Sequence, residues 1–295
     1  MPTARANGID LYYETFGDPA RPTILLIMGL ATQSIAWPDP LITRLVAGGF
    51  HVVRYDNRDI GLSTHLTGAR TGSPVLALIA QRLGLPVPVA YTLTDMAADG
   101  IALLGALGIT RAHVVGASMG GMIAQIMASR WPSRVASLTS IMSTSGARGL
   151  PGPSPAIRRR MLARRPADPS RAEAIAAGAD ILSLISYPDP AREPGAFEAM
   201  AAAAFDRAYD PEGARRQLLA IIADGSRVDR LHAIRAPTLL IHGADDPLVP
   251  KAGSESLARH IRGARLEIVT GMAHDLPPSK LAPIADLIVG HCQGA

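Results

Sequence analysis

Short apolar segments alternate with longer stretches of helical periodicity along most of this 295-residue chain. Several of the segments are rich in β-branched residues and almost continuously apolar, as strands buried on both faces of a parallel sheet are. Strand–helix alternation predicts βαβ units and a mostly parallel sheet flanked by helices. The clearest predicted strands are TILLIM (23–28), HVVRY (51–55), HVV (113–115), LTSIM (138–142), TLLI (238–241) and LEIV (266–269).

Three intervening stretches predict helices: residues 94–107, with Thr94 as a possible N-cap, residues 119–130 and residues 253–261. The N-terminal segment IDLYYET (9–15) alternates apolar and polar residues instead. That alternation predicts a strand of an antiparallel hairpin at the sheet edge.

The alternation stops between about Ala147 and His232, where Pro, Gly, Ala and Arg dominate. Residues 150–155 (LPGPSP) form a stiff connector, and the Ala-rich segments 171–185 and 196–208 favour helix. An insertion of this length is too long for a plain loop. We therefore predict a core domain of residues 1–146 and 233–295, with residues 147–232 as a helical cap.

Charge and cysteine content narrow the expected partners and compartment. The formal net charge is +4, and residues 148–171 contribute seven arginines against one acid, Asp168. Because this excess is small and local, we expect no nucleic-acid partner. The single cysteine, Cys292, excludes an intramolecular disulfide. With no signal peptide or membrane span evident, we expect a cytoplasmic monomer or homodimer with no membrane partner.

The segment Gly116-Ala117-Ser118-Met119-Gly120 lies between the predicted strand HVV and the helix at 119–130. A G-x-S-x-G pattern is weak alone and much stronger between a strand and a helix. There the serine occupies a sharp, strained turn, and only residues near glycine in size fit two positions before and after it. The helix N-terminus also favours developing negative charge. Ser118 is therefore the candidate nucleophile.

A serine nucleophile needs a base, and a carboxylate must orient that base. His274 follows the last predicted strand, LEIV, at the edge where open α/β sheets place their chemistry. Asp245 and Asp246 follow the strand TLLI, so either gives the chain order Ser…Asp…His. Three other histidines fall in or beside predicted buried strands, where we expect them to pack in the core: His51, His113 and His242. The remaining four lack a supporting pattern: His65, His232, His260 and His291.

The tetrahedral intermediate of acyl transfer needs two backbone donors for its oxyanion. One predicted donor is the N–H of Met119, directly after the nucleophile. The other is the N–H of Leu30, in the loop after the strand TILLIM, where Gly29 permits a close approach. Since both donors are backbone groups, the side chains are free to be apolar.

Five stretches resemble the α/β-hydrolase superfamily, and within it they are most similar to the aclacinomycin methylesterase-like esterases. They are LLIMGLATQSIAWP (25–38), RYDNRDIGLST (54–64), RAHVVGASMGG (111–121), LIHGADDPLVP (240–250) and GMAHDLP (271–277). The resemblance implies an α/β-hydrolase fold with an eight-stranded, mostly parallel sheet and a cap between strands six and seven.

The same resemblance implies that Asp246 is the acid, beside Ser118 and His274, and that Leu30 and Met119 are the oxyanion donors. Many relatives have His-Gly and Arg-Gly where this chain has Met28-Gly29 and Arg58-Asp59. The Met-Gly and Arg-Asp forms occur in the methylesterase-like set. Asp56 and Arg58 are then expected to be structural.

These residues predict a carboxylic ester hydrolase that works through an acyl-enzyme and needs no metal or organic cofactor. Its substrate would be a small ester, such as a methyl ester of an aromatic or polyketide-like acid. Alternatives on the same triad are a cofactor-free perhydrolase or haloperoxidase and a carbon–carbon bond hydrolase. A non-catalytic binding protein on the same scaffold is a further alternative.

Two hypotheses concern the cap. Its arginines, Arg158–Arg160 among them, would either form a solvated basic face or attract an anionic substrate. Its apolar residues would either fix the cap to the core or line an acyl or ring pocket: Leu182, Leu184, Ile185, Phe197, Met200 and Phe205.

Overall fold

A computed structural model describes residues 2–69, 72–162 and 169–295 of the chain. These residues form one sheet with the strands β1 (Thr3–Ala6), β2 (Ile9–Phe16), β3 (Thr23–Ile27), β4 (His51–Tyr55), β5 (Ala112–Ala117), β6 (Val135–Ile141), β7 (Thr238–Gly243) and β8 (Arg265–Val269). The strand order is β1-β2-β4-β3-β5-β6-β7-β8. Only β1–β2 and β2–β4 pair antiparallel, and the other pairs are parallel. The predicted eight-stranded, mostly parallel sheet is confirmed.

The helices of the described residues are α1 (Asp39–Ala47), α2 (Pro74–Arg82), α3 (Leu93–Ala106), α4 (Met119–Arg130), α5 (Pro155–Leu162), α6 (Arg171–Ile185), α7 (Ala196–Arg207), α8 (Pro211–Asp224), α9 (Val228–Leu231), α10 (Ala252–His260) and α11 (Leu281–Gln293). Five of them cover the two faces of the sheet. Helices α1 and α11 pack on one face, and α3, α4 and α10 on the other. No helix in the described ranges is both long and apolar enough to cross a bilayer.

The central strands are buried along their whole length, as their continuous apolarity predicts. Every residue of β3, β4, β5 and β7 is buried, whereas β8 at the sheet edge is largely half-exposed. The alternating segment at 9–15 forms β2, which completes an antiparallel hairpin with the edge strand β1. The loops after β3, β5, β7 and β8 leave the carboxyl ends of parallel strands, so they meet at one edge of the sheet.

Two helices begin at other residues than predicted. Helix α3 begins at Leu93 because Thr92, not Thr94, is its N-cap: the Thr92 side chain accepts from the N–H of Asp95, whose carboxylate accepts from the N–H of Thr92. Helix α10 begins one residue earlier than predicted. Helix α2, for which Ser73 is the N-cap, is one of several helices that the sequence analysis did not predict.

The segment between β6 and β7 is helical, and α5 to α9 follow one another there. Helix α6 spans the predicted Ala-rich segment 171–185, and α7 ends one residue short of its predicted end. Helix α8 packs against α2 and α3. A helical cap between strands six and seven is thus confirmed, while its limits at 147 and 232 stay a prediction.

Candidate active site

Ser118 occupies a strained turn between β5 and α4. Its φ of 54° and ψ of −117° lie in a region that residues with a side chain rarely adopt. The turn is so tight that a Cβ at Gly116 would lie 2.1 Å from the carbonyl oxygen of Gly120. A Cβ at Gly120 would lie 2.0 Å from the carbonyl oxygen of Ile27 in β3. Glycine at both positions is therefore what lets the serine project above the sheet edge.

The structure brings the three sequence-predicted side chains into one hydrogen-bonded chain. The Nε2 atom of His274 lies 3.0 Å from the Oγ of Ser118. The Nδ1 atom of the same ring lies 2.7 Å from Oδ2 of Asp246. His274 and Asp246 are buried, whereas Asp245 is exposed, so of the two adjacent aspartates only Asp246 reaches the imidazole.

The Asp246 carboxylate is held on both oxygens. Oδ1 accepts from the backbone N–H groups of Leu248 and Val249, at 2.9 and 2.8 Å. Oδ2 accepts from His274 and lies 3.3 Å from Nε2 of His242. Burial alone would raise the pKa of Asp246, but the hydrogen bonds from His242 and His274 outweigh it and hold that pKa below its usual range. The carboxylate therefore stays ionised at neutral pH.

His242 is a neighbour of the site whose role the sequence analysis missed. It is fully buried in β7, as its place in a predicted core strand implies. Its Nε2 lies 2.7 Å from the carbonyl oxygen of Val249, so this nitrogen carries a proton, which it also directs at Asp246. The sequence holds a signal in the four-residue spacing from His242, near the end of β7, to Asp246 in the turn that follows.

The two predicted oxyanion donors flank the nucleophile. Met119 is the first residue of α4, so its N–H has no carbonyl acceptor within the helix. The loop that carries Leu30 passes directly against Ser118, because a Cβ at Gly29 would lie 3.1 Å from the Cβ of Ser118. Both donors thus lie close to the serine, and their role in stabilising an oxyanion remains a prediction.

Cap residues anchor the loop of Leu30, a feature that the sequence analysis missed. Ala31 has a positive φ of 56°, and its N–H donates to Oε1 of Gln217 in α8 at 2.9 Å. The buried Gln217 amide donates in turn to the carbonyl oxygen of Arg58. Gln33 donates to two carbonyl groups at the end of α7 and accepts from Arg207. Two cap helices thus fix the candidate oxyanion loop.

A second set of contacts joins the cap to the loop of the candidate base. The N–H of His274 donates to the carbonyl oxygen of Ile185, the last residue of α6. Asp275 accepts from the N–H of Tyr187 at 3.1 Å and forms an ion pair with Arg192. Burial raises the pKa of Asp275, and these partners offset part of that rise. The loop of His274 is therefore attached to the cap through both backbone and side chain.

Asp56 and Arg58 bind groups of the protein itself. Asp56 accepts from the backbone N–H groups of Ser34 and Leu62, at 2.7 and 2.9 Å. Arg58 forms a buried two-pronged ion pair with Asp99, with both distances 2.6 Å. These contacts fix the loops after β3 and β4 and fit the structural role expected for both residues.

A group of Asp59, His65 and Asp210 has the composition of a metal site, since one ligand atom from each lies within 4.8 Å of the others. However, Arg216 binds both carboxylate oxygens of Asp59, at 2.8 and 2.9 Å, and also contacts Asp210. Nδ1 of His65 donates to Oδ2 of Asp210 at 2.7 Å. The negative charge that a cation would need is therefore already paired with an arginine.

The cap arginines are partly neutralised. Arg160 pairs with Asp180 of α6, and Arg171 pairs with Asp206 of α7. Arg164, Arg165 and Asp168 lie outside the described residues. Most of the predicted pocket-lining residues are half-buried, and Met200 is exposed. Contact of either group with substrate stays a prediction.

The sheet order, the strained serine turn and the inserted cap define the class of α/β hydrolases. A family model described as "alpha/beta hydrolase fold" matches residues 22–280, and the chain belongs to this family. It is 29% identical to a rhodomycin D methylesterase, DnrP, of Streptomyces peucetius, over 100% of this chain and 99% of the relative. The predicted resemblance to methylesterase-like enzymes is thus confirmed.

Two further relatives broaden the comparison. The chain is 30% identical to a putative carbamate hydrolase, RutD, of Azorhizobium caulinodans, over 99% of this chain and 98% of the relative. The enol-lactonase from Burkholderia xenovorans LB400 superposes with a TM-score of 0.75 at 25% identity, over 99% of this chain and 100% of that chain. The fold and the relatives of this chain identify it as an enzyme of the hydrolase class.

Proposed function

We propose that the protein hydrolyses carboxylic esters through an acyl-enzyme formed on Ser118. The observation that carries this proposal is the continuous hydrogen-bonded path from Asp246 through His274 to a serine held on a strained turn. A serine hydroxyl is a poor nucleophile at neutral pH, and an oriented imidazole removes that limitation. The ionised Asp246 holds the ring in the tautomer that leaves Nε2 free to accept a proton.

Acylation follows from this geometry. His274 takes the proton of Ser118 as the serine oxygen bonds to the ester carbonyl carbon, which leaves a negative charge on the carbonyl oxygen. The N–H groups of Leu30 and Met119 stabilise that charge. The intermediate collapses when the carbon–oxygen bond to the alcohol breaks, and His274 gives its proton to the departing alkoxide.

Deacylation repeats the same steps with water in place of the serine. His274 takes a proton from the water molecule, which attacks the acyl carbonyl and releases the acid, and Ser118 regains its proton from the imidazolium. The balance needs only ester and water.

The relatives guide the substrate class. Because relatives of similar identity are named methylesterases and putative carbamate hydrolases, acyl and carbamoyl substrates need a direct comparison. We assign the methyl ester of an aromatic acid as the preferred class, since the motifs of this chain follow the methylesterase-like set.

Labelling with a fluorophosphonate, followed by peptide mass spectrometry, tests the nucleophile. We expect a single adduct on Ser118, none in Ser118→Ala, and full labelling of Ser129→Ala, whose serine lies further along α4 and bonds to the carbonyl oxygen of Ile126. An adduct on another residue, or turnover of p-nitrophenyl acetate by Ser118→Ala at the wild-type rate, would refute the acyl-enzyme.

A matched pair of substrates tests the class separately. We expect faster hydrolysis of the methyl ester of a polycyclic aromatic acid than of the corresponding methyl carbamate. If the carbamate reacts faster, the assigned substrate class is wrong even though the nucleophile stands. A parallel assay for peracid formation from hydrogen peroxide separates the perhydrolase alternative.

A further inference from the structure

The Asp246 carboxylate has a second imidazole beside it, that of His242 in β7. Nδ1 of His274 lies 2.7 Å from Oδ2 of Asp246, and Nε2 of His242 lies 3.3 Å from the same oxygen. The side chains of His242 and Asp246 are both fully buried. One carboxylate oxygen is thus shared between two rings, of which His274 reaches Ser118.

Two contacts fix the orientation and the proton of the His242 ring. Its Nε2 lies 2.7 Å from the carbonyl oxygen of Val249, so this nitrogen carries the proton. Its Nδ1 lies 2.7 Å from Oγ of Ser254 in α10 and therefore accepts from that hydroxyl. Because the ring is bonded at both nitrogens, it cannot turn its N–H away from Asp246 without leaving a buried polar group unpaired.

Ser254 is placed by the packing of α10 on the loop after β6. A Cβ at Gly253 would lie 2.9 Å from the carbonyl oxygen of Ser143, so glycine permits this contact. The fully buried Ser143 hydroxyl donates to the carbonyl oxygen of Ser118 at 2.8 Å. Its neighbour Met142 has a φ of 43°, a strained conformation that persists where the surroundings enforce it. One loop thus contacts both the nucleophile and the helix that holds the second imidazole.

The N–H of His242 takes up part of the Asp246 charge. Burial raises the pKa of Asp246, and of the contacts that lower it the hydrogen bond from His242 comes ahead of that from His274. Strand β6, which pairs with β7, has no charged residue. The charged or titratable side chains of α10, β8 and the turn after β7 form no other ion pair or hydrogen bond with His242 within the described ranges: Asp245, Glu255, Arg259, His260, Arg265 and Glu267.

We propose that His242 is a positioning residue of the triad. Its N–H fixes the Asp246 carboxylate against His274 and limits the negative charge that this carboxylate directs at the imidazole. The inference rests on the proposed function, because it concerns the base of that reaction. His242 acts through Asp246 and His274, which lie between it and Ser118.

The pH profile of kcat/KM for p-nitrophenyl acetate tests this role. In His242→Leu the Asp246 charge is no longer shared, so the protonated form of His274 is better stabilised. We expect the acid limb of the profile to move to higher pH by about one unit. At the plateau kcat should fall about tenfold with KM little changed, because the imidazole is less well placed. His242→Gln, whose amide can offer an N–H where Nε2 stands, should recover most of both properties.

The matched control is His113→Leu. His113 is another buried imidazole of a central strand, and its Nδ1 lies 2.8 Å from the Oγ of Ser137. Among the described residues no carboxylate pairs with it. His113→Leu should therefore keep the wild-type acid limb and the wild-type kcat.

A second pair of variants leaves the imidazole in place and decides the question if His242→Leu does not fold. Ser254→Ala removes the hydroxyl at Nδ1 of His242 and should lower kcat by about threefold to tenfold without changing KM. Ser256→Ala removes an equally buried hydroxyl of α10, bonded to Oγ of Ser145 at 2.8 Å, and should keep the wild-type kcat. Thermal unfolding followed by circular dichroism should show similar losses of stability in the two.

Three results would overturn the inference while the acyl-enzyme stands. His242→Leu could keep the wild-type acid limb and kcat, His113→Leu could shift the limb as His242→Leu does, or the two serine variants could lose kcat equally. Labelling of wild-type Ser118 by a fluorophosphonate identifies these cases. A wild type that neither labels at Ser118 nor hydrolyses the ester would overturn the proposed function and this inference with it.

Discussion

Replacing Asp246 with asparagine tests whether its carboxylate decides which ring nitrogen of His274 carries the proton. Oδ1 of Asp246 accepts from the N–H groups of Leu248 and Val249, so the new amide must keep its oxygen there. Its NH2 group then points at Nδ1 of His274, where Oδ2 now lies at 2.7 Å. An NH2 donor needs an acceptor, so Nδ1 loses its proton and Nε2 gains one. The nitrogen facing Ser118 can then no longer accept the serine proton.

The expected loss is large and confined to the chemical step. In a serine protease with a Ser-His-Asp triad, the same change lowers kcat about 10⁴-fold because the imidazole takes the wrong tautomer. This factor corresponds to about 5.5 kcal/mol of transition-state stabilisation. We expect a loss of that order here, with KM little changed, because Asp246 is buried behind the imidazole. The amide would also oppose the proton of His242 Nε2 at 3.3 Å, which should lower stability by about 1–3 kcal/mol.

The neighbouring aspartate supplies the control. Asp245 is exposed, and its backbone, rather than its side chain, bonds to the carbonyl oxygen of Met272. Asp245→Asn should therefore retain wild-type turnover of p-nitrophenyl acetate and wild-type thermal stability. If Asp246→Asn remains folded and loses less than about tenfold in kcat, the imidazole does not depend on this carboxylate and the reasoning fails.

Three other tests concern the oxyanion loop, the serine turn and the buried His113. Gln217→Leu should lower kcat by about tenfold to a hundredfold with less effect on KM, because the candidate oxyanion loop loses its anchor. Steady-state kinetics that show a change in KM alone would count against this role. Gly120→Ala should fail to give folded protein, because its Cβ would meet the Ile27 carbonyl oxygen. The control Gly105→Ala, whose Cβ meets nothing within 4 Å, should fold with unchanged or slightly higher stability by circular dichroism. Soluble, active Gly120→Ala would contradict the close packing. Burial lowers the pKa of His113 to about 4, so the unfolded chain takes up a proton first as the pH falls below about 6.5. The free energy of unfolding should therefore be full above that pH and fall by roughly 2 kcal/mol at pH 5. Urea unfolding of His113→Asn should show a correspondingly weaker pH dependence.

Local sequence patterns were sufficient for the buried strands and for the serine turn, whereas the number of eight strands came from the family resemblance. A strand buried on both faces has to be apolar throughout, and a strand–turn–helix of this tightness has to carry glycine at fixed positions, so Gly116 and Gly120 locate Ser118. The choice between Asp245 and Asp246 needed the family resemblance, because their side chains differ in direction rather than in chemistry.

Contacts between distant segments could not be predicted from one sequence. Gln217 reaches Ala31 across 186 residues, and nothing in either local pattern indicates the partner. Helix α2 is a different case, because Ser73 followed by Pro74 is a usable helix start that the analysis passed over. The exposed face of α2 is apolar, so the helix lacks the alternation of apolar core-facing and polar solvent-facing residues. Periodicity alone therefore did not identify it.

The cap contacts change what the insertion does for the site. Gln217 holds the loop of one candidate oxyanion donor, and the carbonyl oxygen of Ile185 together with Arg192 holds the loop of the candidate base. Those two loops follow β3 and β8, which lie on opposite sides of the nucleophile strand β5. The cap therefore connects the halves of the site that the sheet keeps apart, so its loss would misplace the oxyanion loop and His274 as well as open the pocket.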